Sequence, residues 1–384
     1  MNNRIKLVNN TISHQEIDNL CAWLKTYPKL TKGEHTETFE SKWSDWLGCK
    51  YSVFVNSGSS ANLAMAYSAK LSGILKNDIV IAPCLSWATT VSPFIQLGFD
   101  IKLCDASKND LGLDTNMLED LCKKYNPSIL ILAHILGFPN DMQNIVDICN
   151  KYGIMLLEDT CESVGSYYES KKLGTFGDMS SFSTYFGHHF STIEGGLIST
   201  NNFKLYEILK SIRSHGWSRD LSIETQDELK SKYDIDEFNN LYTFYYPGFN
   251  IRSTDLQAFL GIEQLKTLDK KNIIRYNNLL MYDKLINNNY WKIQFSNFIS
   301  NFAYPVIHPN KKMVSLKLQE NNIECRPLVC GNIAKQPYFY DRYGKQEYSF
   351  ADIIHEYGLY VPNNPELSNE DIVKISYIIN EYSC

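Results

Sequence analysis

Residues 78–105, DIVIAPCLSWATTVSPFIQLGFDIKLCD, contain a short apolar run, a helical pattern and a second short apolar run. The pattern predicts a strand at 78–84, a helix at 87–97 and a strand at 100–105. Two strands joined through a helix lie parallel in one sheet, and the helix packs on the face of that sheet. The stretch therefore predicts an α/β fold with a parallel sheet that is covered on both faces.

The same alternation of strand and helix extends to both sides of this unit. Its further elements, in chain order, are a strand at 51–55, a helix at 62–75, a helix at 114–125, a strand at 128–133, a helix at 141–152, a strand at 154–159 and a strand at 179–183. After about residue 265 the pattern changes to a helix at 265–287, short strands and a last helix at 369–382. We therefore expect a large α/β domain over residues 1–264 and a smaller α+β domain over 265–384.

The composition argues against several classes of protein. The chain has 384 residues, of which 44% are hydrophobic, enough for two domains with ordinary cores. Its 37 basic and 43 acidic residues give a net charge of −6, which argues against a nucleic-acid-binding surface. The ten cysteines are dispersed without a C-x-x-C pair, which favours reduced thiols and gives no support for a zinc or iron–sulfur site. Because the sequence shows neither an apolar signal core nor an apolar run that spans a bilayer, we expect a cytoplasmic protein without a membrane partner.

Small hydroxyl residues fill the junction between a predicted strand and a predicted helix. Residues 55–63 read VNSGSSANL, with Gly58, Ser59 and Ser60 at the start of the helix. Free backbone N–H groups, hydroxyl donors and the positive end of the helix together make an anion site. An ordinary serine-rich helix cap has the same pattern, so both interpretations stay open.

Two acidic residues follow the strand predicted at 154–159. A carboxylate at the end of a buried strand, such as Asp159, is costly unless it is paired. Asp159 could pair with the protonated nitrogen of a pyridine ring and make that ring an electron sink, and Glu162 could reach a phenolic oxygen of the ring. Alternatively, Asp159 could cap the next helix.

A pair of histidines and a tryptophan are further candidates. His188 and His189 lie in a loop between two predicted strands, before the turn at Gly195 and Gly196. A solvated loop histidine is one alternative, and a metal ligand lacks companion residues at ligand spacing. Trp87 opens a predicted helix, where its ring could pack in the core or stack on a cofactor.

In order and spacing, these residues resemble the DegT/DnrJ/EryC1/StrS sugar aminotransferases over nearly the whole chain. The resemblance implies the fold-type I PLP-dependent transferase fold, with a three-layer α/β/α large domain and a smaller C-terminal α+β domain. It implies that phosphate is bound by Gly58, Ser59, Ser60 and Ser183, that Trp87 stacks on the ring, and that Asp159 and Glu162 bind the ring heteroatoms. The segment GFNIR at 248–252 implies a homodimer in which Asn250 reaches the partner's cofactor phosphate.

The sequence departs from the family pattern at the lysine that holds the cofactor. His188 stands there, ahead of Glu194, Gly195 and Gly196. Imidazole has no primary amine, so PLP or PMP must be held without a covalent bond at this position. The departure resembles the 3-dehydratase branch of the family. Arg326 and Asn332 also resemble that branch, which implies that they bind the substrate.

The branch implies dehydration at C3 of a nucleotide-linked 4-keto-6-deoxy sugar, either GDP-4-keto-6-deoxymannose or its heptose analogue. Glutamate would convert PLP to PMP, and 2-oxoglutarate and ammonia would be released. His188 would act first as a base and then as an acid, for which an imidazole pKa near ~6.5 is suitable. His215 is a second catalytic candidate, with a structural role as its alternative.

Three other functions remain as alternatives. An aminotransferase requires a lysine at position 188, and Lys171 and Lys172 lie on a polar loop that aligns poorly with it. A 3-dehydrase that receives electrons from an iron–sulfur reductase would carry clustered cysteines, which are not seen. An inactive regulatory homologue is disfavoured by the other matches to cofactor-binding residues.

Overall fold

A computed structural model describes residues 4–287 and 291–382. The strands are β1 (Tyr51–Val55), β2 (Ile79–Pro83), β3 (Asp100–Cys104), β4 (Ile129–Ala133), β5 (Met155–Asp159), β6 (Tyr167–Tyr168), β7 (Lys171–Lys172), β8 (Met179–Ser183), β9 (Gly196–Thr200), β10 (Ala303–Ile307), β11 (Arg326–Pro327) and β12 (Gly358–Pro362). The helices are α1 (His14–Leu24), α2 (Glu34–Leu47), α3 (Gly58–Leu71), α4 (Ala88–Gln96), α5 (Thr115–Tyr125), α6 (Met142–Tyr152), α7 (Phe203–Arg213), α8 (Ile223–Tyr233), α9 (Glu237–Asn240), α10 (Asp255–Leu285), α11 (Lys311–Glu320), α12 (Pro337–Tyr343), α13 (Ala351–Tyr357) and α14 (Asn369–Glu381). Residues 1–3 and 383–384, the outer ends of the two predicted domains, lie outside the described range.

The central sheet has seven strands in the order β1-β9-β8-β5-β4-β2-β3. Every neighbouring pair from β8 to β3 is parallel, whereas β9 is antiparallel to both of its neighbours, β1 and β8. The strand β4 reads ILILA and is buried along its whole length, as expected of a central strand covered on both faces. The α/β fold predicted from residues 78–105 is therefore confirmed, with a parallel arrangement for the five strands from β8 to β3, whereas the sheet as a whole is mixed because of β9.

Helices cover both faces of this sheet and make the three-layer α/β/α arrangement. On one face α3, α4 and α7 pack against alternate strand residues such as Val53, Val80 and Ile131. On the other face α5 and α6 pack against Leu130 and Leu156. The alternation follows from the strand geometry, because successive side chains point to opposite faces.

A second, smaller sheet follows in the order β10-β12-β11 and is antiparallel. Together with α11 and α14 it encloses a separate core that includes Val306, Val361, Leu318 and Ile375. This matches the smaller α+β unit expected after about residue 265. The predicted domain division at 264/265 itself falls within α10 and stays a prediction.

Two predicted helices begin earlier than their apolar patterns indicated. The helix α10 begins at Asp255 rather than at 265, because Thr254 and Gln257 form a capping box there. The helix α3 begins at Gly58 rather than at 62, because the Ser57 side chain accepts a hydrogen bond from the Ser60 N–H. In both cases a polar cap starts the helix before its apolar stripe begins.

Within the described ranges, none of the helices has the length and apolar character needed to cross a membrane. The same ranges contain no group of three or more histidine, cysteine, aspartate or glutamate side chains that could hold a metal ion.

Candidate active site

A cavity of about 670 Å³ lies at the carboxyl ends of the central strands. Its lining includes Ala133, Asp159 and Ser183, which are the last residues of β4, β5 and β8. Phe302 and Arg326 close it from the side of the second sheet. In open α/β sheets ligands bind at this edge, so the cavity is the candidate active site.

The N-terminus of α3 forms one end of the cavity. Gly58 and Ser59 line the cavity, together with Ser183 across from them. A Cβ atom on Gly58 would lie 2.7 Å from the Ser183 Cβ atom, so only glycine lets the helix end come this close to β8. Ser60 is not among the lining residues, since its backbone N–H and its hydroxyl both bond the Ser57 hydroxyl, at 3.1 and 3.0 Å. The arrangement suits a phosphate group, which free helix N–H groups and hydroxyls can bind.

Asp159 is held at the floor of the cavity by three hydrogen bonds. Its Oδ2 atom accepts from Asn62 Nδ2 at 2.8 Å and from Thr90 Oγ1 at 2.7 Å. Its Oδ1 atom accepts from the Cys161 N–H at 3.2 Å. Asn62 is itself oriented by the Ser181 hydroxyl, which donates to Asn62 Oδ1 at 2.6 Å. These hydrogen bonds therefore fix the orientation of the Asp159 carboxylate relative to a cofactor ring bound in the cavity.

Glu162 lies beside Asp159 and also lines the cavity. Its Oε2 atom accepts the Leu136 N–H at 2.9 Å. Burial raises the pKa of the Glu162 carboxyl to about 7, and the nearby charge of Asp159 acts in the same direction. Glu162 can therefore offer either a proton or a lone pair near neutral pH.

His188 lines the cavity from the loop that follows β8. Its ring centroid lies 5.2 Å from that of Phe302. Burial lowers the pKa of the His188 imidazole to about 4, and the charge of Asp159 only partly opposes this. The expected value near ~6.5 for an exposed imidazole is thus wrong for this environment. The imidazole is therefore neutral at pH 7 and keeps an unprotonated ring nitrogen.

The ring of Trp87 lies at the opening of the cavity and is 57% exposed. Trp87 precedes α4, with a backbone that is extended rather than helical. A core-packing role is therefore wrong, because a core tryptophan would be buried. A flat, exposed aromatic face beside a cavity can stack on a planar ligand.

His215 and Asn250 are not among the residues that line the cavity. They lie together with Arg252, whose Nε atom donates to Asn250 Oδ1 at 3.0 Å and whose Nη2 atom is 3.4 Å from His215 Nε2. Asn250 is exposed. The three side chains form a polar group outside the cavity of their own chain.

The structure places the two predicted substrate residues differently. Arg326 is exposed and lines the cavity. Asn332 is buried outside it, where its Nδ2 atom donates to Asp352 Oδ1 at 2.7 Å and its Oδ1 atom accepts the Ala334 N–H at 2.8 Å. Because both ends of its amide are used, Asn332 caps a short 3-10 turn in this structure and does not face the cavity.

The N-terminal segment also belongs to the site, since Lys6, Leu7 and Val8 line the cavity, which no sequence pattern had indicated. The segment is attached to the smaller unit, since the Ile5 N–H donates to the Asn322 carbonyl at 2.9 Å and the Leu7 N–H donates to Glu324 Oε2 at 3.0 Å. The residues IKLV carry no motif, so only the long-range contacts reveal their place at the site.

Together the described residues fit a pyridine ring that carries a phosphate. The α3 N-terminus suits the phosphate, Asp159 suits a protonated ring nitrogen, and Glu162 suits a phenolic oxygen. His188 stands in the same cavity with a buried Nδ1 atom that has no partner among the described residues. The site can thus hold such a cofactor without a covalent bond from residue 188.

Comparisons with known proteins agree with this geometry. The sequence model of the DegT/DnrJ/EryC1/StrS aminotransferase family matches residues 11–380. The GDP-4-keto-6-deoxy-D-mannose 3-dehydratase of Yersinia pseudotuberculosis is 34% identical over 365 residues, which cover 92% of each chain. A crystal structure of GDP-4-keto-6-deoxymannose-3-dehydratase with a trapped PLP–glutamate geminal diamine has a TM-score of 0.88 at 29% identity and covers 98% of this chain and 100% of its own. A His-to-Asn variant of such an enzyme with bound GDP-perosamine has a TM-score of 0.88 at 30% identity, with the same coverage.

Proposed function

Since the chain belongs to the DegT/DnrJ/EryC1/StrS aminotransferase family and shares its PLP-dependent fold, we propose that it dehydrates a GDP-linked 4-keto-6-deoxy sugar at C3. The observation that carries the proposal is His188, which lines the cavity at the position where the family pattern has a lysine. GDP-4-keto-6-deoxymannose and its heptose analogue present the same C3–C4 chemistry, and both are candidate substrates.

The names of the relatives support this choice of reaction. The Yersinia enzyme and the aligned crystal structure are both 3-dehydratases of a GDP-linked 4-keto-6-deoxymannose. The aligned variant binds GDP-perosamine, which supports GDP as the nucleotide. The PLP–glutamate adduct in the other structure supports glutamate as the amino donor.

When bound, the cofactor supplies a protonated pyridine ring that withdraws electrons from the carbon next to its amine. Asp159, fixed by Asn62 and Thr90, would hold the ring nitrogen protonated. Gly58, Ser59 and Ser183 would hold the phosphate, and Trp87 would cover the ring face. Because no covalent bond is available from residue 188, the affinity for the cofactor depends on non-covalent contacts such as these.

His188 would move the proton. Its neutral imidazole can accept a proton, and the imidazolium so formed is a stronger acid than an imidazolium in water because burial lowers its pKa to about 4. Hydroxide is a poor leaving group and needs such an acid. One side chain can therefore serve as base and acid in turn. Overall, the sugar loses the C3 oxygen while glutamate becomes 2-oxoglutarate and ammonia, which balances atoms and electrons.

The test uses the full chain with PLP, glutamate and a panel of 4-keto nucleotide sugars, followed by mass spectrometry of the products. We expect a 3-deoxy-4-keto sugar together with one equivalent each of 2-oxoglutarate and ammonia. A 4-amino sugar would instead identify an aminotransferase. No turnover of any panel member, with PLP bound, would identify an inactive homologue.

A further inference from the structure

Arg275 is a buried cation near the proposed base. It lies on α10, is 3% exposed, and forms no ion pair with a carboxylate in the part of the chain that the structure describes. Its Nη1 atom donates to the Phe302 carbonyl at 3.1 Å and to the Asn363 carbonyl. Burial lowers the pKa of Arg275 to about 10, so it keeps its charge at pH 7. A buried charge balanced only by carbonyl groups is costly, which suggests that its position serves the site.

The carbonyl that Arg275 binds belongs to the residue that packs on both histidines. The Phe302 ring centroid lies 5.2 Å from that of His188 and 6.0 Å from that of His189. The Phe302 N–H also donates to the Leu136 carbonyl at 3.0 Å, so its backbone is held on both sides. Arg275 thus fixes the aromatic surface against which the His188 imidazole rests.

His189 fixes the loop itself. Its side chain is fully buried, and its Nε2 atom is 2.9 Å from the Ser300 carbonyl. A carbonyl only accepts hydrogen bonds, so Nε2 carries the proton and Nδ1, which has no partner among the described residues, does not. A second proton on His189 would have no acceptor. Burial lowers its pKa well below the usual value, and the charge of Arg275 adds to this effect.

We propose that Arg275, His189 and Phe302 are positioning residues that hold His188 in one orientation and in its neutral, proton-accepting form. The proposal rests on the proposed function of His188. We call these three residues the back wall. His189 attaches the loop to residue 300, Phe302 limits rotation of the imidazole, and Arg275 disfavours a second positive charge beside it. The titratable groups that line the same cavity as His188 are Lys6, His134, Asp159, Cys161, Glu162, Tyr185, Glu194, Glu324, Arg326 and Tyr360, and the charge of Arg275 also acts on His188 and on the neighbouring His189.

The charge of the back wall is tested in the cofactor-free full chain. NMR of isotope-labelled histidine, assigned with a His188→Asn variant, measures the His188 pKa without substrate. We expect Arg275→Met to raise this pKa and Arg275→Lys to leave it close to the wild-type value. Arg342 is exposed, so Arg342→Met is the control for the loss of one positive charge elsewhere in the chain. A folded Arg275→Met protein with an unchanged His188 pKa would overturn the role of the charge.

The anchoring of the loop by the hydrogen bond from His189 to the Ser300 carbonyl is tested with a second pair of variants. Gln can still donate to the Ser300 carbonyl, whereas Leu cannot, so His189→Leu should lower kcat by about tenfold or more and His189→Gln should recover most of it. PLP retention and KM should stay within about twofold for both. Equal kcat in the two variants would overturn the anchoring role. If the wild type turns over no sugar, the proposed function fails, while the His188 pKa still decides the role of Arg275.

Discussion

At the scale of single residues, the exchange of lysine for histidine changes how the cofactor is held. Residue 188 lies in the cavity but cannot form a carbon–nitrogen bond to an aldehyde, so the affinity for PLP depends on hydrogen bonds and stacking. In the proposed reaction, the half-buried, neutral imidazole would take over the proton transfer that a lysine amine otherwise provides.

Borohydride treatment should therefore fail to fix PLP to the wild-type protein, and dialysis should remove the cofactor. His188→Lys should give a borohydride-stable adduct at residue 188 and lose dehydratase activity. Peptide mapping identifies the modified residue. A wild-type adduct, including one at Lys6, which also lines the cavity, would contradict non-covalent binding.

The depressed pKa of His188 also predicts a pH-dependent stability. The folded pKa is about 4 and the unfolded value is near ~6.5, so between these values the unfolded chain binds a proton that the folded chain does not. Proton binding by the unfolded chain should therefore lower the free energy of unfolding of the wild type as the pH falls from ~6.5 toward 4. The His188→Asn variant lacks the imidazole and should not show this loss. Urea unfolding of the cofactor-free proteins should show a relative gain by the variant on the order of 2 kcal/mol between pH 7 and pH 4. A constant difference across this range would mean that His188 titrates normally.

At the scale of secondary-structure elements, the site depends on how closely the α3 N-terminus approaches β8. Gly58→Ala would place its Cβ atom 2.7 Å from the Ser183 Cβ atom, so the helix end must move away. Loss of one hydrogen bond to a charged phosphate costs about 1.5–3 kcal/mol, or about tenfold to a hundredfold in PLP affinity. Titration with PLP, followed by tryptophan fluorescence, measures this loss. Ser68 is buried on the same helix and does not line the cavity, so Ser68→Ala is the control for general destabilisation of α3. An unchanged PLP affinity in Gly58→Ala would show that the α3 N-terminus does not bind the phosphate.

At the scale of the whole molecule, the polar group of Asn250, Arg252 and His215, in which Asn250 is exposed, does not line the cavity of its own chain. This supports the inference of a homodimer in which each chain supplies Asn250 to the partner's cofactor. Asn250→Ala should then weaken PLP retention about tenfold to a hundredfold, because no covalent bond compensates for the lost phosphate contact.

Mixed dimers test the shared site directly. In a dimer of one Asn250→Ala and one His188→Asn subunit, both defects fall on the site housed in the His188→Asn subunit. The other site keeps its own His188 and receives an intact Asn250. Mixing the two weakly active variants should restore up to half of the wild-type activity per mixed dimer. Subunit exchange is confirmed with affinity tags, and exchange without any return of activity would contradict the shared site.

The sequence by itself determined the parallel sheet, the strand-end position of Asp159 and the absence of a lysine at 188. These depend on short-range features: apolar periodicity, strand ends and residue identity at one position. Only the tertiary structure decided that Asn332 faces away from the cavity, that Lys6 lines it and that the His188 imidazole is neutral. The Leu7 N–H donates to Glu324 Oε2 across 317 residues of chain, and Arg275, on α10, donates to the carbonyl of Phe302, whose ring packs on His188. Burial and long-range contacts set pKa values and side-chain positions, and neither leaves a local pattern in the sequence.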